Sequence, residues 1–204
     1  MNIDGYTRLA AVVAKPIKHS ISPFIHNLAF ENTGINGVYL AWEIAEEDLA
    51  VTMENVKRYD MFGLNISMPY KQAVIPYLDQ LTKSAQLIGA VNTIIPREGQ
   101  LIGHNTDGIG FFKSLDKLAG FQVQGKVMTV LGGGGAATAI IAQAALDGAA
   151  KIFVFSRSQS IERHTATAQK ISKETQVPIE VLPLEDNSLL QEKIFQSRLL
   201  VNGT

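Results

Sequence analysis

The 204-residue chain contains no cysteine, which excludes a disulfide framework, a thiolate nucleophile and any cysteine-ligated metal. A surplus of either charge is also missing. Eighteen Lys+Arg against 19 Asp+Glu leave a formal net charge of −1 and a pI of about 6.4, so no broad basic surface is present to draw nucleic acid. No apolar run approaches the roughly 18 residues of a membrane helix, and no basic-then-apolar leader opens the chain. The four histidines, at 19, 26, 104 and 164, form no His-x-x-x-His pair and have no carboxylate at ligand spacing, so no metal site is expected. What is present is apolar material for a core: 46% hydrophobic residues against 18% charged, a balance that excludes disorder. The expectation is a cytoplasmic globular protein, monomer or homodimer, whose partner is a small molecule and not nucleic acid or membrane.

Short apolar runs at 9–13, 38–44, 62–66, 127–131, 152–155, 179–182 and 199–201 read as strands, with amphipathic stretches between them. For the first helix Ser22 is a candidate cap, Pro23 suits the first helical position, and Gly34 marks the end. Runs 91–95 and 101–104 break the alternation, because the turn-rich span 96–100 between them predicts a hairpin. The rest predicts an α/β protein with mainly parallel sheet. Its character changes near 105–125, from irregular connections rich in Ser, Asn, His and Lys to a regular strand, glycine loop, helix, strand succession. Two domains are expected, residues 1–107 with a mixed sheet and residues 108–204 as a Rossmann-like doubly wound dinucleotide-binding domain, with ligands in the cleft between them.

Strand 127–131 runs directly into Gly132-Gly133-Gly134-Gly135-Ala136-Ala137 and then into an apolar helix over 138–146. Gly132, Gly134 and Ala137 read as G-x-G-x-x-A in the strand–turn–helix context that a dinucleotide site requires. The first glycine permits a tight turn, the second lets a pyrophosphate approach the backbone, and the alanine keeps helix and strand close, while the helix N-terminus faces the phosphate charge. A merely flexible glycine loop is the competing explanation. At the end of the next strand Ser156-Arg157-Ser158 has no acid before Glu162. An acid there would accept the ribose hydroxyls of NAD, whereas an arginine flanked by hydroxyls suits the extra phosphate of NADP. The competing explanation for Arg157 is a solvated surface side chain.

Polar clusters precede residue 110: His19-Ser20-Ile21-Ser22-Pro23, Asn65-Ile66-Ser67-Met68-Pro69-Tyr70-Lys71, Asn92-Thr93, and Asn105-Thr106-Asp107. Each follows an apolar strand, the edge where α/β proteins build ligand sites. Ser20, Ser22, Asn65, Ser67, Asn92 and Thr106 are neutral donor–acceptor groups suited to a polyhydroxylated molecule, and Lys71 and Asp107 are the strong acid–base candidates among them. Plainer roles compete, since Ser22 can cap a helix, Asn92 and Asn105 can make turns, and Lys71 can be an exposed helical lysine.

In order along the chain, Ser20-Ile21-Ser22-Pro23, Gly63-Leu64-Asn65-Ile66-Ser67-Met68-Pro69-Tyr70-Lys71, Gly89-Ala90-Val91-Asn92-Thr93, Asn105-Thr106-Asp107-Gly108 and the Gly132–Ala137 loop resemble the motifs of the shikimate dehydrogenase family. The resemblance spans nearly the whole chain. It implies reversible, NADP-dependent reduction of 3-dehydroshikimate to shikimate on the route to aromatic amino acids, with Lys71 and Asp107 as the catalytic pair. It implies substrate contacts at Ser20, Ser22, Asn65, Ser67, Asn92 and Asp107. The cofactor set would be Gly132, Gly133, Gly134, Gly135, Ala136, Ser156, Arg157, Ser158, Asn202 and Thr204. Ala14 replaces a frequent glycine, Ser67 a usual threonine and Ser156 a common asparagine. Family members continue beyond strand 199–201 and the turn Asn202-Gly203-Thr204 into further strands, a helix and a substrate-binding glutamine, so a missing C-terminal part is expected. A quinate-preferring enzyme of the same family and a non-catalytic NADP-binding fragment are the alternatives.

Overall fold

A computed structural model describes residues 3–204. The chain divides into two compact units, the first ending at Asn105 and the second running Thr106–Thr204. In chain order the first holds β1 (Arg8–Ala14), α1 (Ser22–Thr33), β2 (Gly37–Glu43), α2 (Leu49–Arg58), β3 (Gly63–Ile66), α3 (Tyr70–Ala73), β4 (Gln80–Leu81), α4 (Lys83–Ile88), β5 (Thr93–Arg97) and β6 (Gln100–His104). The second holds α5 (Asp107–Ala119), β7 (Val127–Leu131), α6 (Gly135–Leu146), β8 (Lys151–Ser156), α7 (Ile161–Thr175), β9 (Ile179–Pro183), α8 (Asn187–Gln196) and β10 (Leu199–Asn202).

The first unit is a mixed sheet in the order β2-β1-β3-β5-β6-β4. β5 runs antiparallel to both its neighbours, while the β1–β2, β1–β3 and β4–β6 pairs are parallel. β1 lies inside it, with Ala10 through Ala14 all buried. Its side chains alternate between two cores, as the period of two along a strand demands. Ala11 and Val13 meet Leu49, Met53 and Val56 of α2, and Ala10, Val12 and Ala14 meet Tyr39 and Ile17. That explains why β1 is apolar throughout instead of alternating. β2 is an edge strand, and α1 covers that edge: Tyr39 N–H donates to Asn27 Oδ1 at 2.8 Å and Asn27 Nδ2 donates to the Tyr39 carbonyl at 2.9 Å. A side-chain amide thus takes the place of a neighbouring strand.

Two local expectations in the first unit change. Ser22 is the first helical residue of α1, not its cap; Ile21 holds the cap position without a side-chain bond, and the Ser20 hydroxyl accepts the Ser22 N–H at 3.2 Å. Gly34 does end the helix, left-handed at φ 68°. The hairpin is tighter than the span 96–100, because β5 continues to Arg97 and β6 begins at Gln100. Only Glu98 and Gly99 turn, both at positive φ (52° and 77°), as a two-residue hairpin loop compatible with strand twist requires. Pro96 fits inside β5 because β3 pairs only with Thr93 and Ile94, so its missing N–H breaks no bond to that neighbour. β4, two residues long, has no apolar run of its own to announce it.

The second unit is a four-stranded parallel sheet in the order β10-β7-β8-β9. The strand order reverses at β7, so the crevice beyond its carboxyl end is where an open α/β sheet binds ligands. α6 begins at Gly135, three residues before the expected start. Apart from Gln143 and Leu146 it is made of small and β-branched residues, and it is buried on nearly every side. α5 lies against it so closely that a Cβ on Gly108 would run into the Ala139 carbonyl oxygen.

Candidate functional site

In the second unit the chain leaves β7 through Gly132, whose φ of +93° only glycine adopts readily. Its N–H donates to the Phe155 carbonyl at 2.8 Å. A side chain on Gly133 would strike the His164 ring, whereas an added Cβ on Gly134 or Gly135 meets nothing within 4 Å. The loop is therefore closed on one side and open on the other, where the N–H groups of the first α6 turn lack intrahelical partners. Ala137 is fully buried. The backbone it admits is that of Gly203, where a Cβ would come within 2.8 Å of the Ala137 Cβ. The third fingerprint position thus sets the distance from α6 to the residue after β10. A cavity of about 540 Å³ opens here, lined by Gly132, Gly134, Arg157, Arg163, Leu184 and Thr204 among others, a volume typical of cofactor sites.

The end of β8 supplies its charge. Arg157 is exposed. Ser156 is buried, and its hydroxyl is engaged within the fold, 2.7 Å from His164 Nδ1. Arg163 Nη2 lies 3.2 Å from His164 Nε2. A guanidinium only donates, so Nε2 accepts and the Nδ1–H donates to Ser156. The ring is held neutral, since burial foremost, and then the Arg163 charge, lower its pKa. Ser158 gives both its N–H and its hydroxyl to Glu185, at 3.1 and 3.0 Å. Asn202 Oδ1 accepts the Thr204 N–H at 3.1 Å and its hydroxyl at 2.8 Å, which shapes the rim at Thr204. Sequence reasoning missed Arg163, His164 and Glu185. The two α7 residues carry no motif. Glu185, just past the carboxyl end of β9, lies where strand-end logic could have found it.

In the first unit strand register does the assembling. Ala14 pairs with Glu43, Val13 with Ile66, Asn65 with Thr93, and Thr93 with His104, so the polar clusters at 65–71, 92–93 and 104–105 collect along one edge of the sheet. Ser67 N–H donates to the Val13 carbonyl at 2.9 Å and Ile66 N–H to the Asn92 carbonyl at 2.8 Å. Glu43 accepts the Ile17 N–H at 3.1 Å, tying the loop that carries Ser20 to the same edge. Lys71 is half-buried on the single turn α3, and its carbonyl accepts the Val91 N–H at 2.7 Å, which sets that turn beside Val91-Asn92.

Behind this row runs a hydrogen-bond network. The Tyr39 hydroxyl donates to Asn65 Oδ1 at 2.6 Å, Asn65 Nδ2 donates to the Asn92 carbonyl at 3.3 Å and to Thr93 Oγ at 3.1 Å, and Thr93 Oγ donates to Asn92 Oδ1 at 2.9 Å. Asn65 therefore sits at the centre of the network, with both its donors used inside the fold. Burial holds the Tyr39 phenol above its ordinary range and protonated, and the His26 ring stacks on it at 4.1 Å. Asn105 is buried and donates to the Ala90 carbonyl at 3.1 Å. Thr106 takes the cap position of α5, and Asp107 opens its first turn, where a carboxylate suits the helix dipole. Among the described residues no group of three His, Asp or Glu could hold a metal ion, and no helix is long and apolar enough to cross a membrane.

Residues 12–94 match the family model described as the shikimate dehydrogenase substrate binding domain. Over all 204 residues the chain is 74% identical to the shikimate dehydrogenase (NADP(+)) of Streptococcus suis strain 05ZYH33, of which it covers 71%. Among solved structures it is similar to the shikimate 5-dehydrogenase of Listeria monocytogenes, crystallised with shikimate and NAD (40% identity, TM-score 0.94, all of this chain and 71% of that one). It is also similar to the Thermus thermophilus enzyme in complex with NADP(H) and shikimate (36% identity, TM-score 0.77, 97% of this chain and 68% of that one).

Proposed function

The chain belongs to the shikimate dehydrogenase family, and from that premise we propose that it is an NADP-dependent oxidoreductase interconverting 3-dehydroshikimate and shikimate on the route to aromatic amino acids. Residues 1–107 take the substrate and residues 108–204 the dinucleotide. The observation that carries this reading is the pairing of chemistries: a cavity of about 540 Å³ lined by open glycine backbone and two arginines in the second unit, and a row of neutral amides and hydroxyls with one lysine on α3 in the first. The cradle fits a dinucleotide diphosphate, because the space beside Gly134 and Gly135 is clear and helical N–H groups face it.

The dinucleotide, which Gly132 through Ala136 and Arg157 would hold, would supply the hydride that reduces the substrate's ring carbonyl. Negative charge then grows on the oxygen, and the Lys71 ammonium is the group assigned to stabilise it and deliver the proton that completes the alcohol. In the reverse direction the amine takes that proton back. Asp107 is assigned a substrate hydroxyl and the orientation of the ammonium. Ser20, Ser22, Ser67 and Asn92 supply the remaining donors and acceptors for a polyol, and Asn65 supports Asn92 and Thr93 from behind. Gly132 through Ala136 receive the diphosphate, Arg157 and Ser158 the adenosine phosphate, and Ser156, Asn202 and Thr204 shape the walls.

The test is NADP reduction by the 204-residue chain with shikimate, with quinate and NAD in parallel. Turnover highest with shikimate and NADP is the expected result. Turnover highest with quinate would reassign the substrate, and no turnover would reduce the reading to binding.

A further inference from the structure

Ser158 is expected to offer its hydroxyl to the adenosine phosphate, beside Arg157, and its backbone N–H is a second donor at the same residue. In the structure both donors are already engaged by one carboxylate: Glu185 Oε1 accepts the N–H at 3.1 Å and Oε2 accepts the hydroxyl at 3.0 Å. Two donors from one residue, with an arginine alongside, form a set that a phosphate would take. The Arg157 charge acts on the same carboxylate. The Ser158 backbone bond is the largest of the causes that hold the Glu185 carboxyl below its ordinary range, and Arg157 adds to it. Glu185 is exposed and follows Leu184, which lines the cofactor cavity, and the Leu184 N–H is bound to the Ser156 carbonyl at 2.9 Å. The backbone thus holds the acid at the mouth of the site.

We propose that Glu185 is a resident surrogate for the cofactor's 2′-phosphate, a specificity-determining residue that narrows the preference for NADP over NAD. It rests on the dinucleotide reading above. The reason is competition between like charges. A phosphate dianion and the Glu185 carboxylate cannot share the Ser158 donors, so NADP must displace the acid, and the displaced acid stays close enough to repel. NAD brings no charge at that position, leaves the Ser158–Glu185 contact in place, and offers ribose hydroxyls that a carboxylate accepts.

The experiment is calorimetric titration of the 204-residue chain and its Glu185→Gln variant with NADP and with NAD, at low and at high salt. Gln removes the charge and keeps one acceptor oxygen, so one of the two Ser158 donors is released, at an exposed position where folding is not at stake. The expected result is about fivefold tighter NADP binding in E185Q at low salt, NAD binding within twofold of the parent, and a gain that fades at high salt as exposed charges are screened. An unchanged NADP-to-NAD affinity ratio in E185Q, or equal gains for both dinucleotides, overturns the surrogate role while leaving the dinucleotide site intact. Failure of the parent chain to bind either dinucleotide overturns the site and the surrogate together.

Discussion

The two units build polar sites in opposite ways. In the first, the side chains behind the candidate substrate edge are neutral, at least half-buried and bonded to one another, as in the run Tyr39, Asn65, Thr93, Asn92. In the second, the polar groups at the candidate cofactor site are open backbone at Gly134 and Gly135 and the exposed charges of Arg157, Arg163 and Glu185. On the proposed reading, the difference follows from the ligands' chemistry. The ring hydroxyls of the proposed substrate, which sit beside its carboxylate, give weak individual bonds, so their partners must be aimed in advance, and buried amides that satisfy each other are rigid. A phosphate attracts at longer range and is held by cations and N–H groups that water also reaches. On the proposed reading, the first site holds ring hydroxyls by fixed geometry and the second tells the two dinucleotides apart by charge.

The largest effect expected is that of Lys71→Ala. If the Lys71 ammonium does chemistry and is not one more binder, turnover falls about 10²–10⁴-fold, as for loss of a general acid, while the KM for shikimate changes far less. A raised KM with unchanged turnover, read from steady-state kinetics, would make Lys71 one more binder. Next is Arg157→Ala, which removes a charge-assisted bond and should weaken NADP about 10–100-fold with NAD within twofold. Equal losses for both dinucleotides in a titration would break the claim that charge does the selecting. Tyr39→Phe probes the neutral network. Asn65 Oδ1 loses its 2.6 Å donor, at about 1–2 kcal/mol of stability, visible as a melting temperature lower by a few degrees. No change would mean that the network is ornamental to the fold.

Acid stability is the smallest effect and touches both units. His26, His104 and His164 all have pKa values lowered, by burial first in each case. Below the ordinary histidine value of 6.5 the unfolded chain takes up protons before the folded one does, so stability is full above that pH and declines as pH falls through the folded values. His164→Gln should flatten part of that decline, leaving the share of the two first-unit histidines. Superimposable melting curves of parent and variant from about pH 8 to 5.5 would remove His164 from the account.

Much of the fold was legible because it is local. The run 127–131 is β7 as the structure has it, and the positive φ of Gly132 and the open face at Gly134 fulfil the physical demands read from the glycine loop. The Gly34 helix end was equally local. Ser22 was misread because Ser20, two residues earlier, supplies the hydroxyl that accepts its N–H. The hairpin was drawn too wide because Pro96 normally argues against a strand, and only the shortness of β3 makes it harmless. Asn65 was placed in the candidate site as a polar residue at a strand exit, and nothing nearby in sequence says that Tyr39 and Thr93 would engage its amide.

The sequence by itself determined where most strands and helices form, where the backbone must turn through glycine, and which residues carry the family's motifs, because these depend on neighbours within a few positions. Tertiary structure alone decided which polar groups are already engaged. The Tyr39 hydroxyl reaches Asn65 from 26 positions away, and Glu185 reaches Ser158 from 27. Such contacts are set by strand order and register in each sheet. No local pattern encodes them, since a carboxylate at the end of β9 meets the end of β8 only once the two strands lie side by side.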